Sequence, residues 1–166
     1  RTAPYPRCFL QHTVKITNEK REKNIGDIQV GDMVLTHRGR YRKVLRVLED
    51  KTKYKGEAIR IVFRGRGNEK NHNAKLRNSF TVTPEHPFLT KRGWVSAKDL
   101  TKEDELFIKA NNSARFISTP VIEIEHLKDF TGERLYNFSV EEDESYVAKG
   151  VVSHNCECTI LPVIEE

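Results

Sequence analysis

Several stretches of this chain alternate apolar and polar residues with a period of two, and that pattern restricts the fold more than any other feature. Thr13-Val14-Lys15-Ile16, Ile59-Arg60-Ile61-Val62-Phe63, Phe80-Thr81-Val82-Thr83 and Val121-Ile122-Glu123-Ile124-Glu125 are each rich in β-branched or aromatic side chains. Gly, Asn and Pro punctuate the intervals between them. Only residues 24–28 and 96–100 read as short helical turns, the second with Ser96 as an N-cap and Asp99 three residues on. The expectation is an all-β domain of many short strands with one or two short helices. A weak internal echo agrees with it. Residues 27–35 and residues 95–107 each pass from a short turn, through an acidic turn, into a strand.

Composition narrows the class further. With 166 residues, 37% hydrophobic and 32% charged, the chain can bury a real core as one domain or a domain with tails. No apolar run approaches the roughly 18 residues of a membrane span, and residues 1–7 lack the apolar stretch of a secretory signal. A cytoplasmic chain with no membrane partner is expected. The net charge of +5 is unevenly spread: residues 38–77 hold 14 Lys/Arg against 4 Asp/Glu, and the remainder holds 15 against 20. Residues 64–73 read as an exposed loop. A nucleic-acid partner is disfavoured, because no aromatic side chain interleaves those charges to stack on bases. A monomer is expected.

Three cysteines, Cys8, Cys156 and Cys158, lie at the ends, and residues 9–155 contain none. A disulfide scaffold would distribute them through the body, so these thiols read as chemical and not architectural. The triplet His154-Asn155-Cys156 supports that reading. An Asn side-chain nitrogen can attack its own backbone carbonyl, closing a succinimide and releasing everything downstream. A thiol can attack an acyl carbon and carry it as a thioester. In Thr83-Pro84-Glu85-His86-Pro87 a Thr and a His sit three apart in a turn stiffened by proline. Alone that turn reads as a surface histidine. Beside the terminal triplet, His86 becomes the proton donor for an amide nitrogen leaving at Cys8, and Thr83 a hydroxyl to hold the imidazole or the amide. His12, His37, His72 and His126 have no assignable partner and read as surface or satisfied histidines. A metal site built from Cys8, His154, Cys156 and Cys158 is conceivable by ligand type but not adopted, and neither metal nor cofactor is expected.

Taken together, these blocks resemble those of an intein, whose Hint fold is also that of hedgehog autoprocessing domains and bacterial intein-like domains. The resemblance is carried by Cys8-Phe9-Leu10, by Ile25-Gly26-Asp27-Ile28 through Asp32, by Phe80 through Pro87 with the following Trp94-Val95-Ser96-Ala97, and by Leu135-Tyr136-Asn137-Phe138 through Cys156. It implies a horseshoe-shaped, pseudo-twofold β-fold in which both ends of the intein meet. It also implies a flank at residues 1–7, a splicing domain at 8–155 and a second flank at 156–166, the flanks being the substrate. Between Leu100 and Leu135 there is no room for a homing endonuclease, so the likeness is to a mini-intein. The implied sequence of steps begins with attack of Cys8 on the Arg7 carbonyl, with His86 protonating the departing nitrogen. Transfer to Cys156 follows, then cyclisation of Asn155 with His154 polarising the Asn155–Cys156 bond, and a final S-to-N shift that joins Arg7 to Cys156.

Two alternatives and a departure accompany the resemblance. A cleavage-dominated intein-like domain would hydrolyse the thioester, and a basic nucleic-acid-binding β-domain would leave the reactive residues unexplained. Many inteins carry Asp at the place of Asn137, whose amide accepts no proton at neutral pH. Asn137→Asp is therefore expected to speed the first step. Asp143 or Glu144 are candidate substitutes, although residues 141–144 read as an exposed turn. Oxidation joining Cys8 to Cys156 or Cys158 is a candidate trap. The joined flanks are similar, over eighteen residues, to the C-terminal end of phage minor head proteins.

Overall fold

Alternating segments become strands where another layer covers their apolar face. The computed structural model describes residues 6–65, 77–110 and 113–155. Among these lie thirteen strands, two single-turn 3-10 segments at Ile25–Asp27 and Ala97–Asp99, and no α-helix. In chain order the strands are β1 (Lys15–Thr17), β2 (Glu22–Asn24), β3 (Met33–Leu35), β4 (Tyr41–Val47), β5 (Lys53–Arg64), β6 (Arg77–Val82) and β7 (Pro87–Thr90). They continue with β8 (Gly93–Ser96), β9 (Glu105–Lys109), β10 (Phe116–Arg134), β11 (Phe138–Val140), β12 (Ser145–Ala148) and β13 (Val151–His154).

Ten strands form one curled sheet in the order β2-β1-β12-β13-β7-β9-β10-β5-β6, with β8 paired to β7, and β11-β4-β3 form a second. Every pairing is antiparallel. The segment between Leu100 and Leu135 is taken up by β9 and β10. One core runs through the assembly, dominated near the chain ends by Phe9, Phe63, Phe80, Phe88, Phe138 and Tyr146, all fully buried. Phe80 stacks on Phe88 at 4.8 Å, and Phe138 on Tyr146 at 4.1 Å between ring centres.

The internal echo is a structural repeat. Residues 72 positions apart occupy matching places: Ile16 pairs with Lys23 as Phe88 pairs with Val95, and Thr17 with Glu22 as Leu89 with Trp94. The two 3-10 turns follow in register, each closed by a backbone bond, Ile28 to Ile25 and Leu100 to Ala97. Asp32 and Asp104 then cap the next turn alike, accepting from the N–H of Gln29 at 2.8 Å and of Thr101 at 2.9 Å. Each of these carboxylates also takes a cation, Lys23 in one arm and Arg92 in the other. In each arm the Asp carboxylate thus closes its turn by accepting from the backbone N–H three residues earlier. The arms meet on the β12–β13 hairpin, β1 pairing with β12 and β7 with β13, which gives the pseudo-twofold arrangement.

That hairpin turns through only two residues, Lys149 (φ 50°) and Gly150 (φ 83°). Two successive positive φ values are those of a type I′ turn, whose twist matches the flanking strands. The turn fixes the register that sets Tyr146 opposite Ser153 and Ser145 opposite His154. One expectation fails locally: Ser96 precedes its turn in extended backbone but makes no side-chain capping bond. A single 3-10 turn leaves few orphan N–H groups for a cap to satisfy, and Ala97 and Lys98 donate theirs to His86 and Pro84.

Candidate active site

The first of the two reactive stretches is held by hydrogen bonds around the Arg7–Cys8 peptide. Cys8 is buried, and its N–H donates to Thr83 Oγ1 at 2.8 Å. The same Thr83 hydroxyl donates to the Pro6 carbonyl at 2.7 Å, while Thr83 N–H bonds the Cys8 carbonyl at 2.9 Å. Thr83 therefore holds the amide, not the imidazole. On the other side of the peptide, Asn137 Nδ2 donates to the Arg7 carbonyl. The orientation of that amide is fixed by its oxygen, which accepts from Tyr146 Oη at 2.8 Å and from Phe138 N–H at 2.7 Å. With both donors on Oδ1, the nitrogen must face Arg7.

His86 lies against this group, fully buried, its ring 4.6 Å from that of Phe9 and 5.0 Å from that of Phe88. Nε2 meets Ser153 Oγ at 2.5 Å, and Nδ1 has no hydrogen bond of good geometry. Loss of solvent lowers the imidazole pKa to about 3, offset in part by the Arg7 backbone, which favours the protonated ring. The ring is neutral at neutral pH.

The second stretch closes β13. Period-two alternation sends Ser153 and Asn155 to one face and His154 to the other. His154 Nδ1 lies 2.8 Å from the Asn155 carbonyl oxygen, and since that oxygen only accepts, the proton is on Nδ1. The Trp94 ring packs edge-on against His154 at 4.8 Å. The Asn155 side chain is buried, with its oxygen accepting from Val140 N–H at 2.8 Å and its nitrogen donating to the Glu144 carbonyl at 3.1 Å. Ser153 joins the two stretches, because the residue before His154 holds the ring that faces Arg7.

No family model matches the chain. Among curated proteins it is 33% identical over 100 residues, 60% of this chain, to a probable translation initiation factor IF-2 of Pyrococcus furiosus. It is 35% identical over 121 residues, 66% of this chain, to the probable IF-2 of Thermococcus kodakarensis. The chain spans only 9% of the length of each. Among solved structures, the gp41-1 intein superimposes with a TM-score of 0.67 at 22% identity, over 90% of this chain and 100% of that one. A DnaB intein from Synechocystis gives 0.64 at 15%, over 89% and 98%. A bacterial intein-like domain from Clostridium thermocellum gives 0.65 at 21%, over 90% and 99%. This is the intein fold.

Within the intein fold, the structure places six of the seven residues singled out from sequence, Cys8, Thr83, His86, Asn137, His154 and Asn155, in the two linked groups just described. Cys156 lies outside the described residues, as do Cys158, residues 66–76, His72 and all but two residues of the flank at 1–7. One sequence expectation is corrected. The run at 141–144 is not wholly exposed: Asp143 is buried, accepting from Thr36 Oγ1 at 2.6 Å and from Arg40 at 2.6 and 2.9 Å. Arg40 holds its carboxyl well below the usual carboxylate range, so Asp143 is a fixed anion tying the β11–β12 turn to the β3–β4 turn. His12 and His37 are satisfied histidines, with Asp27 at 3.4 Å and Ser145 at 2.6 Å as their partners. Ser153 was missed, because a lone Ser in a short strand has no motif, although it stands directly before His154.

The buried neutral imidazole has a stability consequence. Its folded pKa is lowered, so the unfolded chain binds a proton below about 6.5 while the folded chain resists until about 3. Stability is complete above pH 6.5 and falls as pH drops between those values. Between pH 7 and pH 5, unfolding free energy should fall by about 2 kcal/mol on this account. Urea titrations of the Cys8→Ala chain test it, and His86→Gln should flatten most of the slope. An equal slope in both would place the acid sensitivity elsewhere.

Proposed function

We propose that this chain is a self-excising protein-splicing element. Residues 8–155 leave, and residue 7 becomes joined to residue 156. One observation carries the reading: the carbonyls of Arg7 and Asn155, the acyl groups of the two bonds to be cut, each receive a side-chain N–H.

In this reading the Cys8 thiol loses its proton and its sulfur attacks the Arg7 carbonyl carbon. An unperturbed thiol near pKa 8.5 is only a few per cent ionised at neutral pH, so positioning must supply much of the rate. Negative charge grows on the Arg7 oxygen, where Asn137 Nδ2–H waits for it. That charge raises the basicity of the neighbouring His86 ring. The ring gains a proton as the tetrahedral intermediate forms and gives it to the Cys8 nitrogen as the C–N bond breaks. The proton lost by the thiol equals the one gained by the amine, and the step is neutral overall. Thr83 keeps the departing nitrogen in place through the N–H bond it already accepts. Cys156 sulfur then displaces Cys8 sulfur from the acyl carbon. The Asn155 amide, released from Glu144 and Val140, turns its nitrogen onto its own carbonyl, which His154 Nδ1–H polarises. Succinimide formation frees the Cys156 amine, and the acyl group moves from its sulfur to that nitrogen.

Mass analysis of the intact chain under reducing conditions is the test. The expected products are residues 8–155, lighter by one water than the free acid, and a joined peptide of residues 1–7 and 156–166. Two separate flank peptides in place of the joined one would instead favour a cleavage-dominated domain. A chain of unchanged mass after prolonged incubation would overturn the proposal.

A further inference from the structure

We propose that the Ser153 hydroxyl sets the tautomer of His86, holding the neutral ring with its proton on Nδ1, the nitrogen that faces the Arg7–Cys8 peptide. This rests on the splicing reading and assigns Ser153 a positioning role in its first step. Ser153 is wholly buried, and its Oγ makes a hydrogen bond, at 2.5 Å, to His86 Nε2 and to no other group among the described residues. A serine hydroxyl carries one hydrogen, and away from water that hydrogen needs an acceptor. Nε2 offers a lone pair only when the ring proton is on Nδ1. In the opposite tautomer Nε2–H would donate to Oγ, and the hydroxyl hydrogen would be left without an acceptor in a dry interior. Leaving buried groups unpaired shifts such an equilibrium on the order of ten- to a hundred-fold.

Nδ1 has no hydrogen bond of good geometry, and with Nε2 on Ser153 it is the nitrogen left for the Arg7 backbone, which favours the protonated ring. The backbone brings it there: His86 N–H bonds the Thr83 carbonyl at 3.1 Å, and Thr83 N–H bonds that of Cys8 at 2.9 Å. With its proton on Nδ1, the neutral ring presents a second donor to the Arg7–Cys8 peptide beside Asn137 Nδ2–H. When the ring becomes charged, Ser153 rotates its hydroxyl and accepts from Nε2–H, so one side chain serves both protonation states. Ser153 also shares its strand with His154 and Asn155. Any movement of β13 during the second cleavage therefore acts on the donor of the first.

The experiment uses the full chain with Asn155→Ala, which stalls the second cleavage, and 15N-labelled histidine. Long-range 1H–15N correlations should show His86 with a protonated Nδ1 and a bare Nε2. Ser153→Ala should move the proton to Nε2 and slow thiol-induced release of residues 1–7 on the order of ten- to a hundred-fold. Ser153→Thr, which keeps the hydroxyl, should restore the tautomer and bring release to within about threefold. A bare Nδ1 in the chain that retains Ser153 overturns the proposal, even if Ser153→Ala does not fold. An unchanged tautomer in Ser153→Ala overturns it too, whatever the rate. Absence of any thiol-dependent release with Ser153 intact, by contrast, tells against the splicing reading, while the spectrum still decides the tautomer.

Discussion

Asn155→Ala is expected to abolish release of the C-terminal flank and all ligation, while leaving the first acyl shift intact. Only the Asn155 side chain can close the succinimide. Alanine leaves water as the alternative nucleophile, in place of a group held at an effective concentration on the order of 10⁵ M or more. The side chain is buried among Val140 and Glu144 backbone groups, so its removal also leaves two polar partners unpaired, and some stability is lost. The first step should survive, because the Asn155 side chain bonds Val140 and Glu144, while Thr83, His86 and Asn137 bond Cys8, Ser153 and Arg7. Dithiothreitol added to the variant should therefore free residues 1–7 as a peptide detectable by mass, with residues 8–166 remaining joined. Ligated product from this variant would sink the succinimide step.

The strands were legible because their causes are local: the apolar face of Ile59, Ile61 and Phe63 is written at period two, and a sheet has only to cover it. The lengths of β5 and β10 were not, since their outer halves pair with each other and read as polar sequence. The repeat was faint for a similar reason. Its arms share turn geometry through Asp32 and Asp104, but the core side chains differ, Ile16 in one arm answering to Phe88 in the other. In the site, residues with reactive chemistry could be named from their types and order. What sequence could not supply was direction. Whether Thr83 meets the imidazole or the amide depends on a partner 75 residues away, and which end Asn137 turns to Arg7 depends on Tyr146 and Phe138 holding its oxygen. Asp143 illustrates the same limit. Inside an acidic run it reads as solvated, and only the approach of Arg40 from the β3–β4 turn makes it a buried ion pair.

Asn137→Asp is expected to slow the first acyl shift on the order of 10²–10³-fold, the reverse of what sequence alone suggests, and Asn137→Ala to do the same. A carboxylate at this place was expected to help by drawing the thiol proton. The hydrogen bonds argue otherwise. Tyr146 Oη and Phe138 N–H would continue to donate to one oxygen of the new side chain, favouring its ionised form. The other oxygen would replace Nδ2 opposite the Arg7 carbonyl, where negative charge develops as the thiol attacks. A donor would be exchanged for an anion facing an oxyanion. Alanine removes the donor without adding the charge, so the aspartate variant should be at least as slow as the alanine one. Thiol-induced release of residues 1–7 measures the step in the Asn155→Ala background. C-terminal cleavage in a Cys8→Ala background should change little, because no bond of Asn137 reaches His154 or Asn155. A faster first step in Asn137→Asp would show that the carboxylate acts on the thiol, and that the Asn137 amide is not the donor on which the transition state depends.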